Sequence, residues 1–268
     1  MRALIAGLLA FIGTGAAAEP RALTFATYHY ARYDRAVALA PMAEHLGHAL
    51  GRKVTVQVLE SPDALAAAIR EGRVDVAVTN LSAYLASART PTTTTPVAMF
   101  DVPPATLDGY RGVLLARAGV DLKAAGLRYV RVIPGSTSGA LAQEPWVKAE
   151  GLKVTDAGFA GTHDGAMNRL LDGSADIAAL AEEPWRTLKV QKPEEAAKLV
   201  ELWRSDPIPP GPVVCVRSAE VACDAVAAAL TQPTAAAPAE VLSKGWSETA
   251  GATRLIPVDT AVYSAFLK

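Results

Sequence analysis

The sequence predicts an α/β fold of two units joined by two chain crossings. Three observations carry this reading. Short apolar runs alternate with helix-patterned stretches from residue 22 onward. Two Pro/Gly-rich connections, DVPPATLDG (101–109) and IPPGP (208–212), interrupt the alternation. Finally, the restart after the first connection and the return after the second give two crossings, as when one domain is inserted into another.

The chain opens with a leader pattern. Met1-Arg2 is a short positive start, residues 3–13 (ALIAGLLAFIG) are apolar, and Ala16-Ala17-Ala18 sets small residues where a signal peptidase reads them. Cleavage is expected between Ala18 and Glu19, and residues 1–18 are excluded from the fold. The apolar run is about half a membrane span, and no later stretch is long and uncharged enough to be one. The formal net charge of −1 becomes −2 once Arg2 leaves with the leader. Without a basic field, nucleic acid is not an expected partner.

In the first unit, ALTFAT (22–27) reads as a strand. Residues 34–50 read as a helix, because Leu39, Ala43, Leu46 and Leu50 share one face. KVTVQVL (53–59) alternates as a strand. SPDALAAAIREG (61–72) is a helix with Ser61 as N-cap, Pro62 at its first position and Gly72 at its end. VDVAVT (74–79) is a strand, LSAYLASA (81–88) a short helix and PVAMF (96–100) a strand. This β-α-β-α-β order predicts a parallel sheet with helices on its faces. TPTTTTP (90–96) reads as a surface loop.

The second unit restarts with strands YRGVLLA (110–116), RYVRVI (128–133) and TDAGFA (155–160). A helix follows from about His163 to Leu171, then the strand ADIAAL (175–180), a helix near 183–189 and the strand LVELWRS (199–205). LAQEPWVKAEG (141–151) reads as a helix after the second of these strands. Strand VVCV (213–216) resumes the first unit, and helices at 218–230, 237–245 and 258–267 close the chain. A cleft between units joined in this way is a common ligand site.

Chemistry concentrates where PGSTSGA (134–140) turns a strand into a helix. A helix start offers unpaired N–H groups and partial positive charge to an anion. Ser136, Thr137 and Ser138 add neutral donors at that point, whereas capping would require only one hydroxyl. GTHDGA (161–166) is a second such helix start; Thr162 and Asp164 are cap candidates, Thr162 is also a candidate ligand contact, and His163 has an N–H to donate or a proton to carry. Tyr28, His29, Tyr30 and Tyr33 follow the first strand, either as cleft aromatics or as core and surface ones.

Other chemistries fit less well. G-S-T-S-G lacks the central serine of a nucleophile elbow, and adjacent His163 and Asp164 suit a triad poorly, so no catalytic residue is assigned. Glu44, His45 and His48 spell E-H-x-x-H, which reads as solvated helix residues rather than a metal site. No metal or cofactor is implied. Cys215 and Cys223, an even pair in an exported chain, are a disulfide candidate closing a short loop.

Together STSG, GTHD and LWRSDPIPPGP, preceded by GHALGRKVTVQV, EGRVDVAVTNLSA and GYRGVLLAR, resemble the periplasmic phosphonate-binding proteins of ABC importers, from about Leu23 to the C-terminus. The resemblance implies a Venus-flytrap fold of type II-like topology. Residues 19–105 and 213–268 would form one lobe and 106–212 the inserted, anion-binding lobe. It implies phosphonate oxygens held by Ser136, Thr137 and Ser138, with His163 and Tyr110 beside them and Glu183 facing the amine of an aminoalkylphosphonate. A periplasmic monomer delivering its ligand to an inner-membrane ABC permease is the implied role. The alternative is a periplasmic sensor of another small anion or organic ligand on the same fold. Two departures stand out: Ala64 replaces an aromatic, and Pro210-Gly211 replaces an acidic residue in the second crossing.

Overall fold

A computed structural model of the protein describes residues 21–88, 94–218 and 221–266. The leader, its cleavage point and most of the threonine-rich loop fall outside these residues. The first elements are β1 (Leu23–Tyr28), α1 (Arg35–Leu50), β2 (Val54–Leu59), α2 (Pro62–Arg70), β3 (Val76–Val78), α3 (Leu81–Ala88) and β4 (Thr94–Phe100). The first connection contains a short helix, α4 (Pro104–Gly109), that its prolines and glycine had disguised as a loop.

Then come β5 (Gly112–Arg117), β6 (Leu127–Arg131), a π-helical turn (Thr137–Leu141), α5 (Glu144–Ala149), β7 (Val154–Phe159), α6 (His163–Leu171), β8 (Ile177–Ala181), α7 (Glu182–Gln191), α8 (Pro193–Ala196) and β9 (Leu199–Arg204). The chain returns through β10 (Val213–Val216), α9 (Cys223–Thr231), α10 (Ala236–Ser243), β11 (Leu255–Ile256) and α11 (Ala261–Ser264). The closing helices are thus shorter than expected: 218–230 begins only at Cys223, and 258–267 shrinks to one turn.

Two sheets result, ordered β11-β4-β10-β3-β1-β2 and β7-β6-β8-β5-β9. β1 runs parallel to β2 and β3, and β6 runs parallel to β7 and β8. The expected parallel sheet is nevertheless mixed. β10 begins opposite Val78, the last residue of β3, and runs antiparallel to β3 and β4. β5 likewise begins opposite Ala181, the end of β8, and runs antiparallel to it and to β9. Each strand enters its sheet from a connection, at the end where its neighbour finishes, so it must run the other way.

Local sequence explains the element starts. Asp34 caps α1 by accepting from the Val37 N–H, and Ser61 caps α2 through Ala64 at 3.1 Å. Phe25, Leu39, Met42, Leu46, Leu65 and Ile69 are fully buried against the first sheet. Val113, Leu115, Val130, Leu170 and Leu180 do the same for the second. His45 is half-buried rather than solvated, its Nε2 lying 2.9 Å from the Ala229 carbonyl. Cys215 and Cys223 are joined in a disulfide with a Cα–Cα distance of 5.7 Å, tying β10 to the start of α9.

Candidate ligand-binding cleft between the two sheets

The helix expected after the hydroxyl run is broken in two. Gly139 has φ −122° and ψ 18°, which are not helical, and the chain makes a π-helical turn before α5. Close packing explains the glycine: a Cβ there would lie 2.5 Å from Val132 and 3.0 Å from the His163 ring. The turn brings the hydroxyls of Ser136, Thr137 and Ser138 to one small cavity and sets the His163 ring beside them.

Each of the three hydroxyls has its own tie. Ser136 Oγ accepts from the Gly139 N–H at 3.1 Å. Thr137 Oγ1 accepts from the Ser82 N–H at 3.0 Å, a bond between the two lobes. Ser138 Oγ lies 2.8 Å from the Tyr110 hydroxyl. Because Ser136 and Thr137 use their oxygens as acceptors, their O–H hydrogens remain to be donated. Buried Gln143 holds this geometry from behind, its Nε2 donating to the carbonyls of Ser138 at 2.7 Å and Val113 at 3.0 Å.

His163 completes the donor set. It starts α6, with Thr162 capping the helix through Gly165 at 2.9 Å. Its Nδ1 accepts from the Ala181 N–H at 2.9 Å, so the ring proton sits on Nε2. Burial drives the imidazole pKa down to about 3, with Arg32 contributing in the same direction. The ring is therefore neutral at physiological pH and donates one N–H. Across the cleft, the Tyr30 hydroxyl accepts from the His163 backbone N–H at 3.3 Å.

The other wall holds groups that the sequence did not single out. Arg35, at the start of α1, is 5% exposed and lines the cavity. Its guanidinium lies 4.1 Å from the Tyr28 ring centroid and 4.5 Å from that of Trp246. Glu248 also lines the cavity; burial raises its carboxyl pKa, while Arg35 opposes the rise. Burial also pushes the Tyr110 hydroxyl well above its ordinary range. Nothing local marks Arg35 or Glu248, since each reads as an ordinary charge near a helix start. The aromatic run of residues 28–33 was the available signal.

Ser136, Thr137, Ser138, His163, Tyr110, Tyr28 and Tyr30 therefore converge on one cavity, with Tyr33 at its edge. Glu183 and Thr162 do not line it. Glu183 faces a neighbouring groove, where Arg32 lies 3.7 Å from its carboxylate. The cavity has a volume of about 30 Å³. One water needs roughly 10–15 Å³ by that measure, so the space suits a compact ion and not an extended molecule.

Contacts between the lobes close the cleft around this space. Asn80 Nδ2 donates to the Gly135 carbonyl at 3.0 Å, and Ser82 Oγ donates to the same oxygen at 2.5 Å. Arg32 reaches Asp164 at 3.4 Å. The second crossing packs hard against this wall: a Cβ on Gly211 would lie 2.4 Å from the Thr79 oxygen and the Asn80 carbonyl carbon. Backbone atoms of Thr79 and Asn80 thus leave no room for a side chain at position 211.

The sequence model of one protein family, described as ABC transporter, phosphonate, periplasmic substrate-binding protein, matches residues 27–263. No curated protein matches the chain. Among solved structures, the binding-protein component of an ABC phosphonate transporter from Pseudomonas aeruginosa is 16% identical, covering 92% of this chain and 85% of that one, with a TM-score of 0.64. PhnD1 from Prochlorococcus marinus, in complex with methylphosphonate, is 16% identical over 92% and 96%, with a TM-score of 0.65. A Xanthomonas citri protein bound to ATP is 15% identical over 90% and 92%, with a TM-score of 0.67. At such identities these likenesses bear on the fold.

Proposed function

The chain belongs to the periplasmic substrate-binding proteins of ABC phosphonate transporters, and from that premise we propose that it captures a small phosphorus oxyanion between its two lobes and hands it to a membrane permease. Phosphonate, phosphite and phosphate are the ligand class. Proteins of this family bind and deliver substrate and perform no chemistry on it. The lobes would be residues 19–105 with 213–268, and residues 106–212, with the leader removed after Ala18 on export to the periplasm. The protein would work as a monomer.

One observation carries this reading. Ser136 and Thr137, whose hydroxyl oxygens accept and so keep an O–H to give, the Ser138–Tyr110 pair, and His163 with its proton on Nε2 all line one cavity. Every member of that set is neutral and each can donate, as a tetrahedral oxyanion requires. Arg35 on the opposite wall supplies positive charge. An ion touching both walls stabilises the closed arrangement, because half of its contacts exist only there.

Thermal unfolding of residues 19–268 with phosphate, phosphite, methylphosphonate and sulfate tests this. A ligand at 100 times its dissociation constant adds roughly 2.7 kcal/mol, which is several degrees for a protein of this size. A shift with at least one phosphorus oxyanion and a smaller one with sulfate is expected. No shift with any of the phosphorus oxyanions would overturn the ligand class.

A further inference from the structure

We propose that Arg35 is a tethered cation filling an ammonium-shaped box in the cavity wall, so that the site takes compact oxyanions and turns away those bearing an amine. This rests on the phosphorus-oxyanion reading above and narrows it.

The box is made of three ring faces and two carbonyls. The Arg35 guanidinium lies 4.1 Å from the Tyr28 centroid, 4.5 Å from that of Trp246 and 5.4 Å from that of Tyr30. Its Nε donates to the Gly245 carbonyl at 2.9 Å, and its Nη1 to the Tyr28 carbonyl at 3.0 Å. Aromatic faces with carbonyl acceptors are how proteins hold alkylammonium ions. Here every one of those contacts is already taken by a side chain of the protein itself.

Glu248, the carboxyl group lining the same cavity, does not restore an amine site. Arg35 is its neighbouring positive charge and favours its ionised form. A ligand ammonium entering there would meet a like charge in a water-poor space, where such repulsion is weakly screened. Glu183, the carboxylate that the family resemblance set against the amine, lies in the neighbouring groove and pairs with Arg32. The guanidinium thus provides the charge that the anion needs and occupies the place that an amine would need.

The experiment compares 2-aminoethylphosphonate with n-propylphosphonate, which has the same length without the charge, by titration calorimetry. Methylphosphonate and phosphate serve as references. The wild-type protein is expected to bind the amine at least tenfold more weakly than its propyl counterpart. Arg35→Ala should move that ratio about tenfold toward the amine, the scale of a desolvated cation–π contact. Arg35→Lys, which keeps a cation in the box, should retain the wild-type order and also decides the matter if the alanine variant does not fold. An amine bound as tightly as the propyl compound by the wild type, or a ratio unchanged in folded Arg35→Ala, overturns the inference while leaving the proposed function intact. Failure of the wild type to bind any phosphorus oxyanion overturns both.

Discussion

The Nδ1 atom of His163 accepts the backbone N–H of Ala181 at 2.9 Å, which ties the start of α6 to the end of β8 and fixes which ring nitrogen carries the proton. A charged imidazolium would lose this bond, because both of its nitrogens are donors. The bond and the buried site therefore act together to keep the ring neutral.

That neutrality has a pH signature. The folded-state pKa is lowered to about 3 from an ordinary 6.5. Between those values the unfolded chain holds the proton and the folded chain does not, so stability falls as pH falls through this window. From pH 6.5 to 5 the loss is on the order of 2 kcal/mol. Glu248, raised by burial, acts in the opposite sense, binding its proton more readily when folded. Comparing His163→Asn, whose side-chain oxygen can still accept from Ala181, with the wild type isolates the histidine. Denaturant unfolding should show a flatter acid limb in the variant, and parallel curves would mean that the ring is not held neutral.

The Ser138–Tyr110 contact of 2.8 Å joins the hydroxyl turn to the first crossing. Ser138→Ala should weaken phosphonate or phosphate binding by about 1–3 kcal/mol, as for a lost hydrogen bond to a charged group. Tyr110→Phe should cost a similar amount, and the double variant less than the sum, because one contact is being removed twice. Strict additivity in calorimetry would show that the two hydroxyls act independently.

Gly211 is a packing requirement. A Cβ there meets backbone atoms of Thr79 and Asn80 at 2.4 Å, and backbone cannot turn aside as a flexible side chain can. Gly211→Ala should destabilise by at least about 1–3 kcal/mol, the usual cost of overpacking, and Gly211→Asp by more. An unchanged melting temperature for the alanine variant would place this crossing farther from the Asn80 wall than described.

The Cys215–Cys223 disulfide closes an eight-residue separation between β10 and α9. Replacing both cysteines by alanine should cost about 2–3 kcal/mol, several degrees of melting temperature. Ligand affinity should not change, since neither cysteine lines the cavity. A large loss of affinity would show that strain at β10 reaches the cleft.

Elements with strong periodicity and clear ends were legible in the sequence. The helix from Pro62 starts and stops at Ser61 and near Gly72 because local chemistry alone decides those ends. The hydroxyl run and His163 drew attention for the same reason, each sitting where a strand turns into a helix, and they line one cavity. The break at Gly139 was not, because it depends on Val132 and His163 pressing from other elements. Strand direction was hidden too, since β5 and β10 owe theirs to where the connections enter the sheets. Arg35 and Glu248, more than 200 positions apart, meet only through tertiary packing. Glu183 followed a positional analogy, and the start of α7 turns it toward Arg32 instead.

The Gly135 carbonyl, gripped by Asn80 and Ser82 from the opposite lobe, sits beside the hydroxyl turn. An ion held behind this clasp departs when the clasp parts, so its residence time is set by protein–protein bonds as much as by its own contacts. A membrane partner that wedges the lobes apart could then discharge the cargo mechanically, without itself having to recognise it.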